Sequence, residues 1–209
     1  MQINSAIQQQ YIDGVLQSLH DQMIDTGLNN INLPDTTTNF SKRRLGVTWQ
    51  GEAVLYNGNL KGLESIHRTG EAVITLNMNG VTVDVEVGIN NPLVNYDIHA
   101  TFMKHGPRGT IAGSLSHITC DVQLCFIPGT ETVTLEKLVV KDIGSLKAKI
   151  TGLGTVLNFI VSHILQVVGN RVKWKVSTML EGAIKDLLNE IITKTPLPSP
   201  AIDMKAMLG

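Results

Sequence analysis

The sequence predicts an α+β fold in which an antiparallel β-sheet curls around helices located at the two ends of the chain. Apolar residues recur at three-and-four spacing over residues 3 to 25 and 151 to 195, which is the period of a helix with one apolar face. Between about residues 44 and 149 the period changes to two, as in strands that bury one face. The apolar sheet face needs a cover, and the two helices supply the apolar surfaces for it.

The segment from residue 151 to 195 carries the strongest apolar signal. Its first half is apolar on nearly every side, so other parts of the chain have to enclose it. A single helix of this length would extend roughly 60 Å at about 1.5 Å per residue, and Gly169-Asn170 is where we predict a bend or break. We interpret His163, within the apolar half, as a hydrogen-bonded or edge-facing side chain; the alternative is contact with the polar end of a bound lipid.

The chain begins with an amphipathic helix, which we predict over residues 3 to 25. Gly27 and the Asn29-Asn30 pair are typical helix stop signals. Residues 31 to 40 follow as an extended linker, because Pro34 and its turn-forming neighbours disfavour a helix.

The clearest strand pair is a β-hairpin with Asn79-Gly80 at its turn, since this dipeptide favours the type I′ geometry of two-residue hairpins. The turn sets the register, which places Leu76 opposite Val83 and Ile74 opposite Val85. The other face of the hairpin is mostly polar, so we predict one dry and one solvated face.

The alternation continues in further segments that are separated by short turn sequences. We predict about eight strands, at residues 44 to 50, 53 to 57, 71 to 78, 81 to 88, 94 to 102, 118 to 126, 131 to 140 and 143 to 150. Successive strands with short connections indicate an antiparallel meander. Residues 1 to 195 then form a single domain, and the proline-containing tail from 196 to 209 is extended or disordered.

Composition excludes several classes of function. Seventeen basic and eighteen acidic residues give a net charge of -1, which argues against a nucleic-acid partner. No charge-free apolar run reaches the roughly 20 residues of a spanning helix. Residues 1 to 25 lack the features of a signal peptide, so either the protein is intracellular or Met1 begins a mature form expressed without its signal. Asn39 begins a triplet for N-glycosylation in a predicted loop.

No catalytic or metal-binding signature stands out. The string GSLSH at residues 113 to 117 lacks the second glycine of a nucleophile elbow, and we interpret Ser114, Ser116 and His117 as ordinary sheet residues. The six histidines show no zinc-ligand spacing, and no glycine-rich phosphate loop precedes a helix. We therefore predict no enzyme activity, no metal and no cofactor other than a bound lipid or pigment.

Cys120 and Cys125 lie five positions apart in a strand-like run. In an unbroken strand their Cα atoms would be about 16 Å apart, beyond the roughly 7 Å limit for a disulfide. The alternatives are two free thiols or a bridge that requires local unfolding, and the first is favoured. Strand parity then places Cys120 inward and Cys125 outward.

The order of elements, together with several short motifs, resembles the mite group 7 allergens and their arthropod relatives over residues 5 to about 195. Besides the two helices, the resemblance is carried by Leu33-Pro34-Asp35 with a following Phe40 and by the run GVTWQGEAVLYNGNLKGLESIHRTGEA. The most specific pieces are Gly58-Asn59-Leu60 with Gly62-Leu63, and Arg68-Thr69-Gly70. That family belongs to the wider group with the fold of bactericidal/permeability-increasing protein, together with insect juvenile-hormone-binding and takeout-like proteins.

The resemblance implies a secreted super-roll, in which a long curved antiparallel sheet wraps a long C-terminal helix and an apolar cavity takes lipid-like ligands without catalysis. The two cysteines depart from the family pattern. The first hypothesis is a carrier of a lipid, terpenoid, carotenoid or similar hydrophobic small molecule. Its predicted ligand-binding wall consists of Ile74, Leu76, Val83, Val85, Ile98, Phe102, Val122 and Leu124 from the sheet and Leu157, Ile160, Val161 and Ile164 from the helix.

A second hypothesis is a defence protein that makes transient contact with a membrane or bacterial surface of the lipopolysaccharide type. Its basic contacts would include Arg43, Arg44, Lys173 and Lys175. We interpret Trp174 as a cap on the core with solvated lysines beside it; the alternative places it at a membrane surface. A third possibility is a structural or self-associating protein with a filled core.

Overall fold

The structure is a computed structural model, and its elements follow the order α1, eleven strands, α2 and α3 within the described residues. It describes residues 5–44, 47–77, 80–102, 106–127, 132–154 and 160–195. The helices are α1 (Ser5–Asp25), α2 (Val161–Met179) and α3 (Lys185–Lys194). The strands are β1 (Asn30–Leu33), β2 (Thr36–Arg44), β3 (Val47–Lys61), β4 (His67–Arg68), β5 (Val73–Asn77), β6 (Gly80–Asn90), β7 (Leu93–Phe102), β8 (Arg108–Leu115), β9 (His117–Phe126), β10 (Val133–Ile143) and β11 (Leu146–Thr151).

The strands form two antiparallel sheets. Sheet A has the order β1-β3-β7-β8-β11, and β2 also pairs with β3. Sheet B has the order β10-β9-β6-β4, and β5 also pairs with β6. The predicted α+β class with antiparallel strands and a C-terminal helix is confirmed. The predicted single meander is wrong, because consecutive strands leave one sheet and enter the other.

Three long segments pass from one sheet to the other at short junctions. The first turns at Asn91-Pro92 between β6 and β7, the second at Ser116 between β8 and β9, and the third at Gly144-Ser145 between β10 and β11. The junctions are hydrogen-bonded to each other: Leu115 N–H donates to Pro92 O at 3.0 Å and Ser116 N–H to Ser145 O at 3.1 Å. Backbone hydrogen bonding therefore continues where the strands bend.

The predicted linker at residues 31 to 40 is wrong, since this stretch belongs to sheet A. Pro34 and Asp35 separate β1 from β2, and both strands pair with β3, which replaces the two short strands predicted at 44 to 50 and 53 to 57. The two partners lie end to end along one edge of β3 in a single register. On its other edge, the pairing of β3 with β7 shifts register between Tyr56 and Asn59, where Asn57 adopts a φ of 53°.

The β5–β6 hairpin keeps the predicted faces but changes the predicted register. Leu76 lies opposite Val81 and Ile74 opposite Val83, two positions away from the expected partners. Gly80 is the first residue of β6 and pairs with Asn77. Its φ of 143° is one that glycine adopts readily, and it allows β6 to begin at this position. A shift of two positions returns each side chain to the same face, because strand side chains alternate with a period of two.

The helices cover different sheets. Helix α2 contacts β1, β2 and β11 of sheet A and reaches β10, whereas α1 contacts α3 and β4, and α3 contacts β10. The predicted bend at Gly169-Asn170 is wrong, because both residues lie inside α2. Buried Val168 and Val172 flank them, and this burial offsets the roughly 1 kcal/mol that a glycine costs in a helix.

The bend instead occurs in a π-helical turn, Leu180–Ile184, at the junction of α2 and α3. Gly182 there leaves helical geometry, with φ −112° and ψ −107°. Within the described residues, none of the helices combines the length and the apolar character that crossing a membrane requires. The predicted tail from 196 to 209 lies outside the described residues.

Candidate functional site

An apolar cavity lies between α1, the start of α3 and the inner face of sheet B. Every residue that lines it is aliphatic, a methionine or a cysteine. The lining consists of Ile12, Val15, Leu16, Leu19 and Met23 from α1, Val85, Val87 and Ile89 from β6, Cys120, Val122 and Leu124 from β9, Leu138 from β10, and Ile66, Ile184 and Leu188. The site therefore offers apolar burial to a guest and no polar group in its wall.

The local patterns explain why these side chains converge. The α1 residues recur at helical spacing and form one stripe, while the β6 and β9 residues alternate with a period of two and share the inner face of sheet B. Val85 pairs with Val122 and Val87 with Cys120 across these strands. The wall thus consists of one helical stripe placed over two neighbouring strands.

The cavity has a volume of about 30 Å³. A single water needs roughly 10–15 Å³ by this measure, whereas pockets for small ligands usually measure about 300–1,000 Å³. Binding a lipid-sized guest therefore requires α1 and α3 to move away from sheet B.

The predicted wall residues are divided between two regions. Val85, Val122 and Leu124 line the cavity. Val83 is buried on β6 opposite Leu124, and half-buried Ile74 lies on the far side of Val83.

The remaining predicted residues lie elsewhere. Ile98 is buried in sheet A, and Ile160, Val161 and Ile164 lie at or just before the start of α2, which covers sheet A. The side chains of Leu76 and Phe102, and the whole of Leu157, lie outside the described residues. Their assignment to a ligand wall stays a prediction.

Sequence reasoning missed the contribution of α1 to the wall. Five α1 residues line the cavity, and none was among the predicted site residues. The signal was present, because the apolar stripe of residues 3 to 25 shows which face of the helix must be covered. What the stripe could not show is that sheet B and α3 are the elements that cover it.

A polar groove of about 190 Å³ adjoins this cavity. Leu16 and Ile66 line both spaces. The other groove residues are Asp13, Gln17, His20, His67 and Arg68. We call this groove the polar mouth, because it lies next to the apolar cavity and faces solvent.

Charged groups in the polar mouth are paired. The Arg68 guanidinium donates from Nε to Asp13 Oδ1 at 2.9 Å and from Nη2 to Asp13 Oδ2 at 3.1 Å. This hydrogen bonding to Asp13 raises the pKa of Arg68. Arg68 Nη1 also donates to Gly70 O at 2.8 Å, so the guanidinium has a partner on each of its three nitrogens.

Both cysteines are free thiols, as predicted, with Cys120 buried and Cys125 half-buried. Desolvation by burial raises the pKa of the Cys120 thiol to about 12. Cys120 therefore remains protonated at neutral pH and acts as a small apolar group in the cavity wall.

Trp174 does not cap the core, and that prediction is wrong. Its exposed fraction is 55%. The buried stripe of α2 runs through Val172 and Val176, and Trp174 lies about 200° from each of them around the helix axis at roughly 100° per residue. Neighbouring Lys173 is exposed and Lys175 is half-buried, so the indole lies in basic surroundings.

Ser116, His117 and Asp142 form a hydrogen-bonded chain at two of the strand junctions. Ser116 Oγ lies 3.2 Å from His117 Nδ1, and His117 Nε2 lies 2.7 Å from Asp142 Oδ2. His117 begins β9 and Asp142 is near the end of β10, so the chain links the two junctions across neighbouring strands.

His163 is exposed, and its Nε2 lies 2.7 Å from Thr38 Oγ1 on β2, which agrees with its interpretation as a hydrogen-bonded side chain. Together with Asn39, Phe40, Ser41 and Ile160 it borders a surface groove beside α2. In the part of the chain that the structure describes, no three His, Cys, Asp or Glu side chains gather as a metal site.

Comparison with known proteins places the chain in a family. A solved structure described as "Crystal structure of lipopolysaccharide binding protein" aligns with a TM-score of 0.45 and 17% identity. The alignment covers 90% of this chain and 39% of that protein, so the chain spans well under half of its length. No curated protein sequence matches. The family model described as Group 7 allergen matches residues 8–192. The chain therefore belongs to the group 7 allergen family.

Proposed function

We propose that this protein is a non-enzymatic carrier that binds a hydrophobic small molecule between α1, α3 and sheet B. The observation that supports this proposal is the cavity itself, whose wall contains apolar side chains and one protonated thiol. Its ligand would be a lipid, a terpenoid, a carotenoid or the lipid part of a glycolipid. In this proposal the protein is a secreted super-roll whose two sheets together form the curved wall.

Opening the cavity requires the loss of few directional contacts. Helix α1 faces sheet B through side chains, so no strand ladder breaks when the two separate. Polar contacts that hold α1 include the Asp13–Arg68 pair, His20 with Glu64 O, and Tyr11 Oη donating to Thr195 O at 3.3 Å. The bend at Gly182 provides a hinge at which α3 can change direction relative to α2.

Apolar burial is sufficient to drive binding. A ligand that buries roughly 300 Å² of apolar surface gains about 7 kcal/mol at 25 cal/mol per Å², before the costs of ordering and of opening the cavity. This gain depends on area and hardly on shape, so we expect a preference for chain length over one exact structure.

The test combines binding of a fluorescent probe with thiol reactivity. We expect N-phenyl-1-naphthylamine to bind saturably and native mass spectrometry to show one bound ligand per chain. Cys120 should react with N-ethylmaleimide only when the cavity opens, because its thiol is buried. A competing hydrocarbon ligand should slow the modification of Cys120 and leave that of half-buried Cys125 unchanged.

Cys125 serves as the control within the same molecule, because it lies on the opposite face of β9. If the probe does not bind and the Cys120 rate is unaffected by apolar ligands, the interior is a filled core and the carrier proposal fails.

A second candidate function is binding to an anionic lipid surface through α2. The exposed indole of Trp174 and the flanking Arg171, Lys173 and Lys175 support it, because interfacial helices combine an aromatic anchor with basic residues. Vesicles of phosphatidylcholine with phosphatidylglycerol should shift the Trp174 emission to the blue in a Trp49→Phe background. Vesicles of phosphatidylcholine alone should not, and rising salt should reverse the shift. No shift with anionic vesicles would contradict this candidate.

A further inference from the structure

The polar mouth has hydrogen-bonding groups at the position where the head of an amphiphile would lie if its apolar end filled the cavity. Leu16 and Ile66 belong to both the cavity and the mouth, so a molecule that enters the cavity by its apolar end leaves its other end among the mouth residues. On α1, His20 follows Leu16 by four positions, which places the imidazole on the same side of the helix as that shared wall residue.

The tautomer of His20 is determined by its backbone partner. His20 Nδ1 lies 2.7 Å from Glu64 O. A carbonyl oxygen can only accept a hydrogen bond, so Nδ1 must carry the proton. In the neutral ring, Nε2 then bears a lone pair, and it has no protein partner among the described residues.

The other polar groups of the mouth already have partners. His67 repeats the arrangement, with Nδ1 2.9 Å from Ser65 O and Nε2 accepting from Asn90 Nδ2 at 3.2 Å. Arg68 and Asp13 bind each other, and Gln17 Nε2 donates to Asp21 Oδ1 at 3.1 Å. The Nε2 atom of His20 is thus the imidazole acceptor in this mouth that remains available to a ligand.

A second unpartnered acceptor belongs to Glu64, the residue whose backbone carbonyl contacts His20. Glu64, whose carbonyl fixes the His20 ring, has a buried side-chain oxygen, Oε2, without a hydrogen-bond partner in the described part of the chain. Buried polar atoms normally have partners, and an exception calls for a missing water or ligand. Both unpartnered groups, His20 Nε2 and Glu64 Oε2, are acceptors.

We propose that the ligand is an alcohol with a long or polycyclic apolar body, whose hydroxyl group donates a hydrogen bond to His20 Nε2. This inference rests on the proposed carrier function, because it requires the apolar body to occupy the cavity. It also requires the contacts of His20 with Glu64 O and of Arg68 with Asp13, which open for entry, to re-form once the ligand is bound. A carboxylate head is disfavoured, since it would meet acceptors, and since the Arg68 guanidinium is occupied by Asp13 and Gly70 O. An ether is disfavoured because it has no proton to donate.

The test compares three ligands that differ only in the head group. Wild-type protein loaded with N-phenyl-1-naphthylamine is titrated with 1-decanol, its methyl ether or decanoate. We expect decanol to displace the probe at a concentration about fivefold lower than the ether, as one net hydrogen bond provides. Decanoate should bind more weakly than decanol. In His20→Phe the preference for decanol over the ether should disappear, while probe affinity stays within about twofold.

His67→Phe is the matched control, because His67 borders the same mouth but its Nε2 already has Asn90 as a partner. It should keep the preference for decanol. As a measurement that needs no variant, the ¹⁵N resonance of His20 Nε2 should shift with decanol and not with the ether, while that of His67 stays constant.

The experimental outcomes distinguish failure of the alcohol proposal from failure of the carrier function. If the probe and all three ligands fail to bind, both fail. If decanol and its ether bind equally well to the wild type, or if the His20 resonance does not respond, the carrier function stands and the alcohol proposal is overturned. Tighter binding of decanoate would also overturn it and would indicate an anionic head.

Discussion

Sheet A beneath α2 and sheet B beneath α1 and α3 share three continuous chain segments, and they differ in how closely the described inner-face residues are packed. Under α2, inner-face residues of sheet A such as Leu55 and Ile98 have no exposed surface. In sheet B, the inner-face residues Val85 and Val122 border the apolar cavity. Around Leu55 and Ile98, sheet A is therefore closely packed, whereas the described wall of sheet B borders a space that can grow.

The helices that pack on the two sheets also differ. Sheet A is covered by one helix, α2, whereas sheet B is covered by two helices from opposite ends of the chain. Two separate covers can move apart from each other and from the sheet without bending a helix. Under the proposed carrier function, ligand binding belongs to sheet B and structural integrity to sheet A, and the following variants test this division.

The largest expected effect is the difference in stability loss when one leucine in each region is replaced by alanine. Leu55→Ala in sheet A should lower the free energy of unfolding by about 4–5 kcal/mol, because it opens a void in a filled region. Leu124→Ala should cost about 2–3 kcal/mol, because Leu124 already borders a cavity.

Denaturant unfolding and probe titration measure the two outcomes. Leu124→Ala should also bind N-phenyl-1-naphthylamine more tightly, since an enlarged apolar cavity accepts apolar guests. Equal costs and equal probe affinities for the two variants would remove the distinction between the regions.

The next effect uses one buried tyrosine from each region. Desolvation by burial raises the pKa of both Tyr11 and Tyr96 to about 12. Since the folded chain holds these phenol protons more tightly than the unfolded chain, the free energy of unfolding is unaffected below about pH 10 and decreases as the pH rises towards 12. Each phenol should account for about 2 kcal/mol of this loss at pH 12.

Tyr11→Phe and Tyr96→Phe should each make the alkaline decrease shallower, as followed by denaturant unfolding at stepped pH values. If an apolar ligand moves α1 away from sheet B, Tyr11 should account for less of the alkaline loss of stability. The share due to Tyr96 should stay the same. An unchanged alkaline profile in Tyr96→Phe would show that its ring is not buried as described.

A smaller effect concerns the junction between the two sheets. A methyl group added at Gly144 would overlap Ser116 Oγ and lie 2.8 Å from His117 Nδ1. Gly144→Ala should therefore lower the free energy of unfolding by about 1–2 kcal/mol, because the serine hydroxyl can rotate away only by breaking its hydrogen bond with His117, and the imidazole only by breaking its hydrogen bond with Asp142.

The double variant Gly144→Ala with Ser116→Ala should recover part of the loss, because it removes the nearest overlapping atom. Additive costs in the double-mutant cycle would contradict the proposed overlap.

The smallest effect on stability should come from the exposed ion pair that holds α1 to β4. Asp13→Asn should change the free energy of unfolding by less than about 1 kcal/mol, since half of the Asp13 side chain is exposed. It should nevertheless accelerate probe entry by up to about fivefold in stopped-flow measurements, because the pair must open when α1 moves. Glu190→Gln, which breaks the Lys194–Glu190 pair within α3, is the control and should leave the entry rate unchanged.

The strand faces could be predicted because side-chain alternation is a local property. Val83, Val85, Val122 and Leu124 were all assigned to the apolar face, and all are buried. Even the hairpin with the wrong register kept these faces, since the displacement was two positions. The inner and outer sides of the sheets were therefore accessible from spacing alone.

Which strands belong to sheet A and which to sheet B could not be predicted from side-chain alternation. It depends on the junctions at Asn91-Pro92, Ser116 and Gly144-Ser145, whose short sequences resemble ordinary strand ends. The apolar residues of the candidate site could be recognised from the sequence. The helix that covers each of them could not, because it is determined by contacts between distant parts of the chain. The exposure of Trp174 could have been inferred, because its helical phase relative to Val172 is fixed.

The junctions also constrain how this protein can change over time. Since each of the three segments contributes one strand to each sheet, inserting a single residue at a junction changes the phase of everything beyond it while the preceding strand keeps its pairing. Neither sheet can be cut out, duplicated or exchanged with a homologue alone, because the cut would cross the chain at all three junctions and also between β3 and β4. The two sheets are in this way inherited as one unit.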